Sequence, residues 1–128
     1  MPKILLVEDN ELNRDMLSRH LQRNGFDVCV AADGPEGIDL AISERPDVIL
    51  MDVALGDMDG WEATQQIRTR MGSSAAPVIA LTAHALASDR AKSLAMGCVD
   101  FDTKPVDLDR LLGKIRSCLR TRPSAASM

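Results

Sequence analysis

The strongest constraint on the fold is an alternation along the chain between short apolar runs and longer stretches with helical spacing. Short runs that alternate with helices are typical of βα units, in which the strands are parallel. We therefore predict a single three-layer α/β domain of (βα)5 type, with a parallel five-stranded sheet and helices on both of its faces. The apolar runs occupy residues 4–7, 28–32, 48–51, 78–81 and, more weakly, 99–101.

The helices are predicted from apolar spacing and from signals at their ends. Asp33 with Glu36, and Asp59 with Glu62, have the spacing of capping boxes, which begin helices. The fourth helix, residues 88–96, has mostly alanine at its apolar positions, so we expect it to be weakly anchored. The clearest apolar stripe belongs to the last helix and consists of Leu108, Leu111, Leu112, Ile115 and Leu119.

Composition limits the classes of function. The 128 residues suit one domain, which we place at residues 1–120, followed by a flexible Ser/Ala-rich tail over residues 121–128. The net charge of -4 and the scarcity of aromatic residues argue against direct nucleic-acid binding. The first apolar run is too short for a signal peptide or a membrane span, and the three cysteines show no zinc or disulfide pattern. We expect a cytoplasmic protein without a membrane segment.

Polar side chains follow four of the apolar runs. In an open α/β sheet, ligands bind at the carboxyl ends of the strands, where the strand order reverses. If the order is 2-1-3-4-5, the first and third strands are neighbours and their acidic residues share one pocket. Three crowded carboxylates raise one another's pKa unless a cation is present, and Mg²⁺ prefers oxygen ligands. The residues are Glu8 and Asp9 after the first run, Asp52 after the third, Thr82 after the fourth and Lys104 after the fifth.

This set of side chains suits phosphoryl transfer. Lys104 offers a positive charge for a phosphoryl oxygen, and the Thr82 hydroxyl can donate a hydrogen bond to another. Phosphoryl transfer needs mainly positioning and charge neutralisation, and a carboxylate such as that of Asp52 can be the nucleophile. The sequence therefore predicts a Mg²⁺-dependent phosphoacceptor.

The stretches that contain these residues resemble the receiver domains of two-component response regulators, over nearly all of residues 3–119. The resemblance implies the flavodoxin-like fold with strand order 2-1-3-4-5. The matching stretches are Val7-Glu8-Asp9-Asn10, Leu50-Met51-Asp52, Met58-Asp59-Gly60, Ala80-Leu81-Thr82-Ala83 and Phe101-Asp102-Thr103-Lys104-Pro105.

The resemblance assigns a role to each site residue. Asp52 is implied to be the phosphoacceptor, which receives the group from a phosphohistidine on a sensor histidine kinase or a histidine phosphotransfer protein. Glu8, Asp9 and the backbone carbonyl of Ala54 are implied to hold Mg²⁺ together with Asp52. Lys104 and Thr82 are implied to contact the phosphoryl group. Such a domain catalyses its own phosphorylation and dephosphorylation but turns over no separate substrate.

The resemblance also implies a switch. Phe101 resembles the aromatic residue that turns inward when Thr82 moves toward the phosphoryl group, which would change the face formed by the fourth helix, fifth strand and fifth helix. Output would be binding to a downstream protein partner, with the chain a monomer or a weak, phosphorylation-dependent dimer. Ala54 and His84 resemble the positions that tune phosphoryl lifetime. Asp102 stands where an apolar residue is common, so we expect it to weaken the last strand and add negative charge to the output face.

Three alternatives are weighed against this interpretation. Haloacid-dehalogenase-like phosphatases use similar parts, but their nucleophile resembles Asp-x-Asp on the first strand, and here position 54 is alanine. A calcium loop around Gly60 fails because Leu55 and Gln66 would stand at its decisive ligand positions. A receiver excised from a hybrid histidine kinase is favoured by Asn10 and by the run Leu-Thr-Ala-His-Ala. The start at Met1 and the short tail favour a free-standing protein.

Overall fold

The computed structural model describes residues 2–55, 58–83 and 87–121. Five strands alternate with five helices, and a single turn of 3-10 helix, Gly72–Ser74, follows the third helix. The strands are β1 Lys3–Val7, β2 Asp27–Ala31, β3 Val48–Asp52, β4 Val78–Thr82 and β5 Asp100–Thr103. The helices are α1 Glu11–Arg23, α2 Gly34–Glu44, α3 Gly60–Met71, α4 Ala87–Ala95 and α5 Leu108–Thr121.

All five strands pair in parallel in the order β2-β1-β3-β4-β5. This confirms the predicted α/β fold and its strand order. The order reverses between β1 and β3, whose register pairs Val7 with Met51. The residues that follow these two therefore reach the same edge of the sheet, which is where the ligand site of such a sheet lies.

Two apolar layers sandwich the sheet because successive strand side chains point to opposite faces. Leu5 and Val7 of β1 pack with α2 and α3, whereas Ile4 and Leu6 pack with α1 and α5. The predicted stripe of α5 is confirmed, since its central members are buried and its outer members pack against the same layer. The central members are Leu111, Leu112 and Ile115.

The predicted helix ends agree with the structure. The side chains of Asp33 and Asp59 accept hydrogen bonds of 2.8 Å from the backbone N–H groups of Glu36 and Glu62. Gly97, which follows α4, has φ +104°, and a Cβ there would lie 2.1 Å from the Arg68 side chain, so only glycine fits.

The last strand differs from the prediction. It begins at Asp100 rather than Val99, which is half exposed. The prediction for Asp102 was wrong about its charge: the side chain is 2% exposed, so it adds no negative charge to the surface. Its Oδ1 accepts hydrogen bonds from Nε and Nη2 of Arg110 in α5, at 2.8 and 2.7 Å.

Some predictions concern residues that the structure does not describe. His84 and residues 122–128, most of the expected tail, fall outside the described residues, and α5 continues to Thr121. Within the described ranges, no helix has the length and apolarity that crossing a bilayer requires.

Candidate functional site

The sheet brings three carboxylates together at the carboxyl ends of β1 and β3. Glu8, Asp9 and Asp52 each offer an oxygen, and these oxygens all lie within 4.8 Å of one another. Glu8 and Asp52 are each 3% exposed, whereas Asp9 is exposed. The arrangement has one open side, through which an ion or a substrate can reach the two buried groups.

Lys104 connects the two buried carboxylates. Its Nζ lies 3.0 Å from Oε1 of Glu8 and 3.1 Å from Oδ2 of Asp52. Burial lowers the pKa of this lysine, but the hydrogen bonds to Glu8 and Asp52 outweigh burial, so its pKa is raised. The lysine is therefore a permanent cation in a pocket that otherwise holds only negative charge.

One lysine does not balance the pocket. Burial raises the pKa of Glu8, and the hydrogen bond to Asp52 and the charge of Asp52 raise it further, against the opposing effect of Lys104. A further cation would relieve this repulsion. The donor set consists of oxygen atoms, which hard divalent ions prefer, so the residues fit Mg²⁺.

The backbone around Asp52 fixes the direction of its side chain. Oδ1 of Asp52 accepts a 3.1 Å hydrogen bond from the backbone N–H of Ala54. Gly60, the first residue of α3, donates its N–H to the carbonyl of Val53 at 2.9 Å. A Cβ on Gly60 would lie 2.2 Å from the carbonyl oxygen of Asp52, so α3 begins directly against the backbone of this aspartate.

Thr82 and Lys104 come to the same edge through the pairing of β4 with β5. Thr82 is buried at the end of β4 and is paired in register with Thr103. The backbone N–H of Lys104 donates to the carbonyl of Thr82 at 2.8 Å, and the peptide bond from Lys104 to Pro105 is cis. The polar residues predicted at four strand ends thus all lie at one edge of the sheet.

Phe101 lies in β5, three residues before Lys104. Its ring is partly buried and packs against the α2 and α3 side of the core. The charged groups of Arg90 and Lys114 lie 5.6 and 5.4 Å from the ring centroid, and Lys114 also donates to the carbonyl of Phe101. The ring therefore lies between a cation from α4 and a cation from α5.

Two contacts at and beside the acid pair were not predicted from the sequence. Nη1 of Arg14 in α1 donates a 2.9 Å hydrogen bond to the backbone carbonyl of Glu8. The side chain of Asn10 caps α1 by accepting from the N–H of Asn13 at 3.0 Å. The available signal was the spacing: an asparagine at the start of a helix followed four residues later by an arginine, which places the two on one face.

Comparison with known protein families identifies the family of this chain. The family model of the response regulator receiver domain matches residues 4–116. The chain belongs to the response regulator receiver family. The match also favours the receiver over the dehalogenase-like alternative.

Curated relatives of this receiver domain are response regulators. It is 35% identical over 120 residues to the DNA-binding dual master transcriptional regulator RpaA of Synechocystis. The aligned residues cover 94% of this chain and 50% of that protein. It is 38% identical over 122 residues to the response regulator MprA of Mycobacterium avium, with coverage of 94% and 53%. The chain thus spans about half the length of the curated relatives it matches.

Solved structures share the fold over nearly their whole length. The chemotaxis protein CheY4 of Vibrio cholerae matches the receiver domain with a TM-score of 0.87 at 32% identity, over 93% of this chain and 99% of that one. A second match is to the crystal structure of the histidine phosphotransfer protein Ypd1 with the receiver domain of Ssk1, from Saccharomyces cerevisiae. Its TM-score is 0.89 at 29% identity. That match covers 97% of this chain and 92% of the other.

Proposed function

We propose that this receiver domain accepts a phosphoryl group on Asp52, from a phosphohistidine, in a Mg²⁺-dependent reaction. The observation that carries the proposal is the contact of Lys104 Nζ with both Glu8 and Asp52, beside a third carboxylate from Asp9. An isolated aspartate at a strand end would have no need of this arrangement. A carboxylate with a fixed cation and room for a second one is what phosphoryl transfer requires.

Asp52 acts as the nucleophile in this mechanism. One of its carboxylate oxygens attacks phosphorus, the bond from phosphorus to the imidazole nitrogen breaks, and the electron pair of that bond stays with the imidazole. The Ala54 N–H holds Oδ1, while Oδ2 contacts Lys104. As negative charge accumulates on the phosphoryl oxygens, Lys104 neutralises one and the Thr82 hydroxyl donates to another.

Glu8, Asp9 and Asp52, with the carbonyl of Ala54, would hold Mg²⁺. The ion, when bound, supplies positive charge beside the phosphoryl oxygens. Support comes from the three carboxylates, whose oxygens lie within 4.8 Å of one another, and from the pKa of Glu8, which burial and then Asp52 raise. Ala54 has only a methyl side chain beside the site, so it cannot orient an attacking water.

The phosphodonor would dock on α1. Leu12 is 81% exposed and Met16, one turn later, is 55% exposed, which forms an apolar stripe that no core contact explains. Met16 also lines a groove of about 590 Å³, whose lining includes Glu8 and Lys104. A helix bearing a phosphohistidine could lie there with its imidazole at Asp52. The complex of Ypd1 with the Ssk1 receiver domain supports a partner of this class.

The phosphorylated state would act through Phe101 and its neighbours. The ring contacts cations from both α4 and α5, so a movement of Thr82 and Lys104 toward the phosphoryl group would disturb both contacts. The face of α4, β5 and α5 would then bias a two-state equilibrium toward binding a protein partner. Dimerisation and the wider activity of any longer protein remain predictions.

Intact mass after incubation with a small acyl phosphate and Mg²⁺ tests the phosphoacceptor. The wild-type domain should gain one phosphoryl group, Asp52→Asn should gain none, and Asp15→Asn, an exposed aspartate of α1, should label normally. Label that persists in Asp52→Asn would remove Asp52 from the mechanism. Absence of label from the folded wild type at every Mg²⁺ concentration would remove the function itself.

Transfer from a phosphorylated histidine phosphotransfer domain tests the docking surface. Leu12→Asp should slow this transfer at least about tenfold, as loss of an apolar anchor at an interface does. Each variant is compared with its own rate of labelling by the small acyl phosphate. Ile42→Asp, at an exposed apolar position of α2 on the opposite face of the sheet, is the matched control. Equal transfer rates in the two variants would contradict docking on α1.

A further inference from the structure

Glu8 is held by its backbone as well as by its carboxylate. Its N–H donates to the carbonyl of Ala31 at 3.0 Å, which continues the pairing of β1 with β2. Its own carbonyl lies just after β1 and accepts a 2.9 Å hydrogen bond from Nη1 of Arg14. The side chain then meets Lys104 through Oε1. The orientation of this acid is therefore determined by β2, by Lys104 at the end of β5 and by α1.

Arg14 encloses the loop that bears the acid pair. Its backbone N–H donates to the carbonyl of Asn10 at 2.9 Å, which is the first hydrogen bond of α1. Its side chain reaches back past Asn10 to Glu8, while the Asn10 N–H approaches Oε2 of Glu8 at 3.5 Å. Residues 8–10 are thus tied at both ends to a single arginine, and Asp9 lies in the middle of the tied segment.

We infer that Arg14 is a positioning residue of the metal site: by fixing the carbonyl of Glu8 it holds Glu8 and Asp9 in the geometry that binds the divalent ion. The inference rests on the proposed function. A guanidinium suits this task because its planar, charged N–H groups make directional hydrogen bonds to a carbonyl acceptor. Groups that orient metal ligands contribute strongly to affinity even though they never touch the ion.

Arg14→Met tests the inference, with Arg19→Met as the matched control. Methionine keeps an unbranched side chain and removes the donor. Arg19 lies on the same helix, and its ion pair among the described residues is with the exposed Asp15. The first measurement is the dissociation constant of Mg²⁺ by titration calorimetry, with no phosphodonor present. The second is the rate of labelling by a small acyl phosphate as a function of Mg²⁺ concentration.

Arg14→Met should raise the Mg²⁺ dissociation constant about tenfold, the low end of the usual effect of losing an outer-shell partner. The Mg²⁺ concentration for half-maximal labelling should rise equally, while the rate at saturating Mg²⁺ stays within about twofold of wild type. Arg19→Met should shift neither. A purely structural role would lower the melting temperature and leave the Mg²⁺ dependence in place.

An unchanged Mg²⁺ dissociation constant in folded Arg14→Met would overturn the inference, as would a lower saturating rate without a shift in the Mg²⁺ dependence. If Arg14→Met does not fold, Arg14→Lys replaces it, with a smaller rise expected because a shorter side chain retains a donor. The calorimetric result is independent of labelling. A wild type that binds Mg²⁺ without becoming labelled would therefore refute the proposed function. The calorimetric comparison of Arg14→Met with wild type would still test the role of Arg14 in Mg²⁺ binding.

Discussion

The indole Nε1 of Trp61 donates a 2.9 Å hydrogen bond to the hydroxyl of Ser93, which joins α3 to α4. Ser93 is 0% exposed and is the one buried side chain among residues 90–95 of α4. Lys92 places its ammonium 4.3 Å from the centroid of the indole, while Leu94 is half exposed. A buried polar contact therefore anchors this part of α4 where the other helices use apolar stripes.

Ser93→Ala should loosen α4. The change leaves the indole N–H of Trp61 without its acceptor, so the free energy of unfolding should fall by about 1–2 kcal/mol. Amide hydrogen exchange should accelerate in α4 and stay unchanged in α5, because local opening follows local anchoring. Ser18→Ala, on α1, is the control, because it removes a hydroxyl that donates to the carbonyl of Asp15 within its own helix. Unchanged exchange in α4 would show that the hydrogen bond does not anchor it.

The ion pair of Asp102 with Arg110 leads to a second prediction. Oδ1 accepts both guanidinium contacts, and Oδ2 is buried with no hydrogen-bond partner among the described residues. Arg110→Met would leave an uncompensated buried carboxylate and should lower the unfolding free energy, by less than the loss of a fully buried partner would, because Arg110 is half exposed. Chemical denaturation measures this difference.

Asp102→Leu should instead leave the free energy of unfolding unchanged or raise it. Replacing a buried ion by an apolar side chain is often neutral or stabilising, and here it also removes the unsatisfied Oδ2. In the Asp102→Leu background, Arg110→Met should cost less than about 0.5 kcal/mol, since the partner is already gone. A cost of Arg110→Met that is the same in both backgrounds would show that the two residues do not interact energetically.

The sequence predicted the elements whose cause is local. The apolar runs gave four strands within one residue at each end, and the capping pairs at Asp33 and Asp59 located the starts of α2 and α3. β5 was placed less well because polar residues alternate with Phe101 there. Asp102 faces the core in that strand, and only the position of Arg110 on a packed helix makes its burial possible.

The site was predictable to the extent that it depends on strand ends. Parallel pairing carries Glu8, Asp9, Asp52, Thr82 and Lys104 to one edge once the strand order is known. The contacts from helices were missed because they depend on how side chains reach across a turn or between two helices. Arg14 to Glu8 and Trp61 to Ser93 are of this kind.

The pH dependence of stability provides a third prediction. Burial, and then Asp52, raise the pKa of Glu8 above its ordinary value of 4.5. A carboxyl whose pKa is higher in the folded state stabilises the fold while it is protonated, and that contribution is lost as pH rises through the folded pKa. Ionised Glu8 therefore weakens the metal-free fold near neutral pH.

Glu8→Gln keeps a neutral group at every pH and can still accept from Lys104. Without divalent ions it should melt at a higher temperature than wild type near neutral pH. The difference should shrink as pH falls through the raised pKa of folded Glu8 toward its ordinary value of 4.5, because Glu8 in the wild type then becomes protonated. Glu11→Gln, in the first turn of α1, is the control for loss of a carboxylate. A Glu8→Gln variant that melts below wild type near neutral pH would contradict this account of the pocket.

The contact between Gly60 and Asp52 provides the last prediction. In Gly60→Ala the new methyl would lie 2.2 Å from the carbonyl oxygen of Asp52 and 2.9 Å from the Met51 side chain, so α3 must shift away from the site. Overpacking of this kind should cost about 2–3 kcal/mol of unfolding free energy. The phosphoacceptor would be displaced as well, so labelling by a small acyl phosphate should slow even in folded protein.

Gly113→Ala is the matched control because the same substitution meets nothing within 4 Å on the exposed side of α5. Alanine favours a helix over glycine, so this variant should gain up to about 1 kcal/mol and label at the wild-type rate. The two substitutions thus have opposite signs because the new methyl group meets the Asp52 backbone at position 60, whereas at position 113 only the helix preference of alanine acts. Equal stability of Gly60→Ala and wild type would mean that α3 can retreat from Asp52 without cost, and the support that it gives to the phosphoacceptor would have to be abandoned.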